Sequence, residues 1–368
     1  MIVTSAVLLW MDMMKKILLI MVGGTICTAV NERGTLSVHP DAGALLVDNF
    51  KRSDSFCAKD IEFVLTENLM ILSENMSVKT WNRIISLCRE KLKEETYDGI
   101  IFAHGTDTLA YSAALFSQLL GRLEIPVFFV SSHTRLDAPK TNGNDNFRCA
   151  VECIAWGIAP NIYVAYRNVT DDKMYLHLAS RITQCQNYSD DFTSYGAIDI
   201  NNIDNENYKA FFAEIERRYP QKRKSCGLHL DALPELSDCV LMISPYVGMR
   251  YDALDYGKVS AVLHGTYHSG TACAHAENSN NSLLYMLDAC SRTKTDVYLA
   301  PSKAEGEIYD TVRVIASHGN AKNRIRFLYG YTNEMAYVKL LLAYSVLHEN
   351  ERDAFIRTEW NFERIDNK

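Results

Sequence analysis

The sequence predicts an α/β protein built from two parallel sheets, each covered by helices. Three observations predict this class. The chain has 368 residues, which is long enough for two domains with complete cores. Its composition, 48% hydrophobic and 23% charged, is that of an ordinary globular protein. Short apolar runs of strand length alternate with segments of helical period, which is typical of parallel strands joined by helices.

The first part of the chain carries the clearer alternation and is expected to form a large N-terminal domain at 14–217. Apolar runs predict its buried strands, at 17–22, 61–65, 100–103, 127–131 and 162–166. Helical periodicity predicts its helices, at 77–94, about 108–120 and 145–156. The helix at 77–94 has its apolar residues on one face, so we expect that face to pack against the sheet.

A smaller α/β domain is expected at 238–368. Polarity rises from residue 201, where the sequence predicts a charged helix at 207–218 and a linker at 218–237. The alternation then resumes, with predicted strands at 240–243, 259–264 and 297–300 and helices at 282–291 and 334–347. Residues 1–13 are expected to be an N-terminal extension, because a typical first strand begins after Met14.

Charge and cysteine content limit the class of function and the compartment. A formal net charge of −7 without a long basic run argues against nucleic acid as the main ligand. The ten cysteines form no CxxC pair and mostly lie in apolar patterns, so we expect reduced, buried thiols and a cytoplasmic protein. The apolar stretch 1–13 lacks a basic region and is too short to span a bilayer, so no membrane association is expected.

One strand-to-helix junction carries the strongest functional signal. A predicted buried strand stops at His104-Gly105, and Thr106, Asp107 and Thr108 follow where a helix begins. Two hydroxyls and a carboxylate are then expected among the unpaired N–H groups of a helix start, at the sheet edge where open α/β proteins build their sites. Helix capping is the alternative explanation, although one such residue suffices for a cap.

A second turn, Gly23-Gly24-Thr25-Ile26, follows the first predicted strand directly. Two glycines let the backbone turn tightly and approach a ligand or another loop closely. The full G-x-G-x-x-G fingerprint is absent, which disfavours a dinucleotide site.

Together, the two turns resemble the bacterial-type L-asparaginase/glutaminase family of threonine amidohydrolases, of which this chain is identified as a divergent member. Weaker similarity supports the alignment along most of the chain, at Ser73-Glu74-Asn75-Met76, Asn142-Gly143, Asn146 and His264–Thr271. The resemblance implies a flavodoxin-like parallel sheet in the N-terminal domain. It also implies a homo-oligomer, dimer or tetramer, that uses neither a cofactor nor a metal.

The resemblance also implies roles for individual residues. Thr25 would be the acylated nucleophile, Thr106 would lie on the other side of the substrate amide, and Asp107 would hold the substrate's α-amino group. The residues expected to bind the rest of a small amino-acid-like substrate are Ser73, Glu74, Gly105 and Ser132. A threonine hydroxyl is a poor nucleophile at neutral pH, so the mechanism requires a group that activates it.

Two departures from the family pattern concern that activation. The family resemblance places a lysine where this chain has Gln184, and a tyrosine where it has Thr35. Glutamine can neither take up nor release a proton at neutral pH, and it carries no charge. Loss of one acid–base partner commonly lowers a rate by about 10²–10⁴-fold. Lys173 or Tyr175 would replace the missing groups if the alignment of this loop is shifted.

The sequence therefore leaves three functions open. The first is an asparaginase-like amidohydrolase that cleaves the side-chain amide of L-asparagine or a related small amide through a threonine acyl-enzyme. The second is a catalytically impaired protein of the same fold that binds an amino-acid-like ligand as a sensor or regulatory subunit. The third is the amide-hydrolysing subunit of a larger amidotransferase.

Overall fold

The computed structural model describes residues 14–30, 34–201, 209–210, 212–213, 217, 228–275, 279–302, 309–318 and 325–365. The chain divides into two compact units, Met1–Asp231 and Ala232–Lys368. The expected extension 1–13, most of the expected helix 207–218 and the first half of the expected linker lie outside the described residues. No helix within the described ranges is both long and apolar enough to cross a bilayer.

The first unit contains a seven-stranded sheet in the order β4-β1-β5-β6-β7-β8-β9. Its strands are β1 (Lys15–Met21), β4 (Ile61–Leu65), β5 (Gly99–Ala103), β6 (Val127–Val130), β7 (Ile162–Arg167), β8 (Met174–Leu178) and β9 (Ile198–Asp199). The first five strands pair in parallel, and β8 and β9 add to the edge in antiparallel orientation. The parallel strands therefore have the flavodoxin order 2-1-3-4-5, which reverses direction between β1 and β5.

Helices accompany this sheet, and its central strands are buried on both faces, as is usual for parallel strands. They are α1 (Ala42–Lys51), α2 (Val78–Glu94), α3 (Leu109–Leu119) and α4 (Gly143–Trp156). Strands β5 and β6 are buried at every position, which explains why they are continuous apolar runs in the sequence. Helix α2 begins at Ser77, whose side chain accepts a hydrogen bond from the Thr80 N–H, and helix α3 is buried almost throughout.

The second unit contains a four-stranded parallel sheet with the strands in chain order. These strands are β10 (Val240–Ile243), β11 (Ala261–His264), β12 (Asp296–Ser302) and β13 (Ile325–Tyr329). The accompanying helices are α5 (Leu283–Thr293), α6 (Asp310–Ser317), α7 (Asn333–Val346) and α8 (Glu349–Arg357). The predicted fold class, a flavodoxin-like sheet followed by a smaller α/β unit, is confirmed.

The structure adds elements that the apolar pattern does not predict. Strands β8 and β9 are short antiparallel additions, and a small hairpin of β2 (Thr28–Val30) and β3 (Leu36–Val38) follows the first turn. Helix α8 is largely polar and buries only Phe355 and Ile356, so its apolar period is too weak to recognise. Most of the described cysteines are buried, and none of them forms a disulfide.

Candidate active site

Three loops meet at the carboxyl edge of the first sheet, beside the reversal between β1 and β5. The chain after β4 continues alongside β1, and Gly24 N–H donates to the Ile71 carbonyl over 2.8 Å. On the other side, Val22 N–H donates to the Ala103 carbonyl over 3.0 Å. The turns that follow β1, β4 and β5 are therefore held together by backbone hydrogen bonds.

Glycine is required where these turns touch. A Cβ atom added to Gly24 would lie 2.0 Å from Gly105 Cα, and Gly24 also has a φ of +77°. A Cβ on Gly105 would lie 2.4 Å from Ser73 Cβ, and one on Gly23 would lie 2.2 Å from the Ile71 carbonyl oxygen. Real side chains do not tolerate such distances, so the glycines allow backbone-to-backbone contact that brings the Thr25 turn against the Thr106 turn.

The two candidate threonines occupy equivalent positions in their turns. Thr25 and Thr106 are each the first residue of a short 3-10 helix, after Gly24 and Gly105 respectively. Both are partly exposed. The first N–H groups of such helices have no partner within the helix, so each turn presents donors that suit a developing negative charge.

Helix capping does not account for the polar residues of the second turn. Thr108 is the residue preceding helix α3, and its side chain makes no capping hydrogen bond. Instead, the Thr108 hydroxyl donates to the Ser73 carbonyl over 3.0 Å, and Thr108 N–H donates to Ser73 Oγ over 3.1 Å. These two bonds join the loop after β4 to the loop after β5, and Ser73 is buried where they meet.

Asp107 and Glu74 give this edge a negative character. Both side chains are exposed. The pKa of Asp107 is raised above the ordinary aspartate value, first by partial burial of its carboxyl and second by the nearby charge of Glu74. Two neighbouring carboxyl groups favour a ligand that carries a positive charge.

Gln184 contacts the same turn, the one that contains Thr106 and Asp107. Its Nε2 donates to the backbone carbonyl of Asp107, from a position 77 residues further along the chain. The next residue, Cys185, has a pKa raised to about 12, first by burial and then by the charges of Asp190, Asp191 and Asp107. Its sulfur is therefore a protonated thiol at neutral pH rather than a nucleophilic thiolate. The family resemblance points to Gln184, whereas no spacing signal in the sequence points to Cys185, because a single cysteine carries none.

The residues proposed as substitutes for the missing groups are engaged elsewhere. Lys173 forms an ion pair with Asp199, with 3.1 Å between Nζ and Oδ2. The Tyr175 hydroxyl donates to Asp171 Oδ2 over 2.7 Å, and this bond is the first cause of its pKa being raised to about 12. Thr35 is exposed, just before strand β3.

Ser132 is buried in the turn after β6, the neighbour of β5. Its hydroxyl donates to the Thr134 carbonyl and lies 3.0 Å from the Thr141 hydroxyl, so it is used within its own loop.

Asn146 joins the adjacent strand ends: its Nδ2 donates to the Ser131 carbonyl over 2.9 Å, and its Oδ1 accepts from Arg167 N–H over 2.7 Å. These contacts explain the Asn142–Asn146 similarity as a structural feature of the edge.

No group of three or more histidine, cysteine, aspartate or glutamate side chains is arranged to hold a metal ion within the part of the chain that the structure describes. His264, the buried member of a histidine-rich stretch in the second unit, bonds instead to Tyr251 and to the Gly265 carbonyl.

Comparison with known proteins agrees with this architecture. Residues 16–215 match the family model described as Asparaginase, N-terminal. The thermostable L-asparaginase from Thermococcus kodakarensis superimposes with a TM-score of 0.69 at 20% sequence identity, covering 96% of this chain and 100% of that one. L-asparaginase I from Vibrio cholerae superimposes with a TM-score of 0.65, also at 20% identity, covering 95% and 99% of the two chains. At this identity, the two structures show a common fold.

Sequence relatives include proteins named as subunits of glutamyl-tRNA(Gln) amidotransferases. The one from Haloquadratum walsbyi is 27% identical over 261 residues, which cover 70% of this chain and 56% of that protein. The one from Methanothermobacter thermautotrophicus is 27% identical over 253 residues, which cover 67% and 55%. The chain thus spans a little more than half the length of these relatives. Because the family model matches more than half of the residues, and because the two glycine-threonine turns meet as described, this chain belongs to the asparaginase family.

Proposed function

We propose that this protein hydrolyses the side-chain amide of L-asparagine, or of a related small amide, to the acid and ammonia. One observation carries the proposal: the backbone contact of Gly24 with Gly105 brings the Thr25 turn against the Thr106–Asp107 turn at the point where the strand order reverses. Open α/β proteins bind ligands at such a point.

In the proposed reaction, Thr25 Oγ forms a bond to the amide carbon and its hydroxyl proton passes to the amide nitrogen. The carbon–nitrogen bond then breaks, and the nitrogen leaves as ammonia. Water then attacks the threonyl ester, which releases the acid and restores the hydroxyl. The N–H groups at the two 3-10 helix starts would stabilise the developing oxyanion. The negative charge at Asp107 and Glu74 would attract the α-ammonium group of an amino acid substrate.

The contact of Gln184 with Asp107 supports slow rather than fast turnover. An amide side chain at this place holds a backbone carbonyl but transfers no proton. Thr25 would then lack a general base of the usual kind, and the rate would fall by about 10²–10⁴-fold compared with a site that has one.

The same observation favours a second candidate function, a binding protein. A pocket that keeps its glycines, Thr106 and Asp107 but lacks the proton-transferring group would still bind an amino-acid-like ligand. It would serve as a sensor or a regulatory subunit.

The names of the sequence relatives favour a related arrangement, in which the chain acts within an amidotransferase. For the assembly we nevertheless propose a homo-oligomer, dimer or tetramer, because the family resemblance implies one. A partner protein that copurifies with the chain would contradict this assembly and favour the amidotransferase subunit.

Ammonia release from L-asparagine and L-glutamine by the wild-type protein, Thr25→Ala and a control variant, Thr170→Ala, tests the proposal. Thr170 is an exposed threonine of the same unit. Ammonia release by the wild type and Thr170→Ala, with loss of at least about 10³-fold in Thr25→Ala, is expected. Equal rates in all three would overturn the threonine mechanism. No release by any of them, together with tight binding of L-aspartate by calorimetry, would favour the binding protein.

A further inference from the structure

We propose that Trp81, Ser112 and His104 are positioning residues, which form a buried chain of hydrogen bonds that fixes the Gly105–Thr106 peptide of the candidate site. This inference rests on the proposed function, because it assigns these three residues to the same site. None of them was predicted as a site residue from the sequence.

This chain of hydrogen bonds runs from helix α2 through helix α3 to the end of strand β5. Trp81 Nε1 donates to Ser112 Oγ over 2.9 Å. Ser112 Oγ lies 2.9 Å from His104 Nε2, and His104 Nδ1 lies 2.9 Å from the Gly105 carbonyl oxygen. Each group therefore contacts the next at normal hydrogen-bond distance.

The chemistry of the two ends, together with a neutral ring between them, fixes the direction of every bond. An indole N–H can only donate and a carbonyl oxygen can only accept. His104 Nδ1 must therefore carry the proton that it donates to Gly105, and in a neutral ring Nε2 then accepts from the Ser112 hydroxyl. The structure thus assigns one tautomer to His104, neutral with the proton on Nδ1.

Burial keeps the ring in that state. His104, Ser112 and Trp81 are 1%, 0% and 5% exposed. Burial of the His104 ring lowers its pKa to about 4, despite the opposing effect of the Gly105 carbonyl. At neutral pH the ring is therefore uncharged, so Nε2 accepts from the Ser112 hydroxyl and His104 holds the loop without transferring protons.

The Gly105 carbonyl and the Thr106 N–H belong to one peptide group, which connects the chain of hydrogen bonds to the proposed reaction. A hydrogen bond to the carbonyl holds the peptide plane and polarises the N–H of the same group. That N–H is at the start of the 3-10 helix, where it has no partner within the helix. We expect it to contact the substrate in an orientation set by Trp81, Ser112 and His104.

Replacement of Ser112 by alanine tests the inference, with Ser117→Ala as the matched control. Both serines are fully buried in helix α3, and the Ser117 hydroxyl donates to the Ala114 carbonyl of the same helix. We expect kcat for ammonia release to fall on the order of tenfold to a hundredfold in Ser112→Ala compared with Ser117→Ala. The shape of the pH profile between pH 6 and 9 should not change. Trp81→Phe, which removes the first donor only, should give a smaller loss.

Two further measurements separate this inference from the proposed function. If the wild type releases no ammonia, the dissociation constant for L-aspartate replaces kcat, and Ser112→Ala should weaken binding by about tenfold compared with Ser117→Ala. ¹⁵N correlation spectra of the histidine rings should show His104 as the neutral Nδ1–H tautomer at pH 7, whatever the activity. An imidazolium or an Nε2–H tautomer at that pH would overturn the inference. So would identical effects of Ser112→Ala and Ser117→Ala on both kcat and the dissociation constant.

Discussion

The two units each contain a His-Gly-Thr turn after a parallel strand, and the two turns are built alike. His104 Nδ1 lies 2.9 Å from the Gly105 carbonyl and its Nε2 2.9 Å from the Ser112 hydroxyl. In the second unit, His264 Nδ1 lies 2.5 Å from the Gly265 carbonyl and its Nε2 2.8 Å from the Tyr251 hydroxyl. Burial lowers the pKa of both rings to about 4.

The surroundings of the two turns differ. The first turn follows a strand at the point where the strand order reverses, and the backbone of Gly24 is in contact with that of Gly105. The second follows a strand of a sheet whose order is the chain order, and the hydroxyl of Thr266 donates to the Pro301 carbonyl over 2.7 Å. The tripeptide therefore forms the same hydrogen-bonded turn in both units, and the topology around it makes one turn a candidate site.

Alanine at Gly24, which contacts the first turn, and at Gly265, which lies within the second turn, should give the largest difference between the units. A Cβ on Gly24 would lie 2.0 Å from Gly105 Cα, whereas one on Gly265 would lie 3.1 Å from the Ile243 carbonyl oxygen. We expect Gly24→Ala to separate the two turns and to lower ammonia release or L-aspartate binding by about 10²-fold or more. Gly265→Ala should cost about 1–2 kcal/mol of unfolding free energy and leave the activity within about twofold. Equal loss of activity in both variants would show that the Gly24 contact is not special.

Gln184→Lys should have the second largest effect on ammonia release. It should act through the first turn alone. A lysine would bring a titratable, positively charged group to the Asp107 carbonyl that Gln184 now contacts. If proton transfer limits the rate, ammonia release should rise by about 10²-fold or more. Gln184→Met, which has a similar length but no charge, is the control and should bring no gain. A gain in both variants would point to loop mobility instead of proton transfer.

The strands, the two threonine turns and the long-range contacts of the first unit differ in how well the sequence predicts them. The buried parallel strands are predictable because both faces are covered and the apolar runs are uninterrupted. The positions of Thr25 and Thr106 follow from the two turns, and their roles stay predictions. The contact of Gln184 with Asp107 and the bond of Trp81 with Ser112 join residues that are 77 and 31 positions apart. Their pairing depends on how helices and loops pack, which the period of apolar residues does not encode.

Acid should weaken the first unit more than the second. Burial lowers the pKa of His177 to about 3 and that of His104 to about 4, both in the first unit, and that of His264 to about 4 in the second. Each folded-state pKa lies below the ordinary value, so the unfolded chain takes up protons first. The stabilisation is complete above about pH 6.5 and is lost as the pH falls towards 4, by about 2 kcal/mol per histidine at pH 5.

Hydrogen exchange measures this difference within one sample. Between pH 7 and pH 5, after correction for the intrinsic rate, the amides of β5 should lose about 4 kcal/mol of protection from the two histidines of the first unit. Those of β11 should lose about 2 kcal/mol from His264. Replacing His177 by phenylalanine should bring the pH response of β5 to that of β11. An unchanged response of β5 in this variant would mean that folding does not lower the pKa of His177.

Tyr251→Phe should produce the smallest effect and bears most directly on the likeness of the two turns. It removes the hydroxyl that donates to His264 Nε2 and leaves that buried nitrogen without its partner, as Ser112→Ala does for His104. Both variants should therefore cost about 1–3 kcal/mol of unfolding free energy in their own unit. Only Ser112→Ala should also lower kcat or weaken L-aspartate binding, because only the Gly105 turn meets the Gly24 turn. If Tyr251→Phe lowered kcat as much as Ser112→Ala, the second His-Gly-Thr turn would be part of the active site, and topology alone would not distinguish the two.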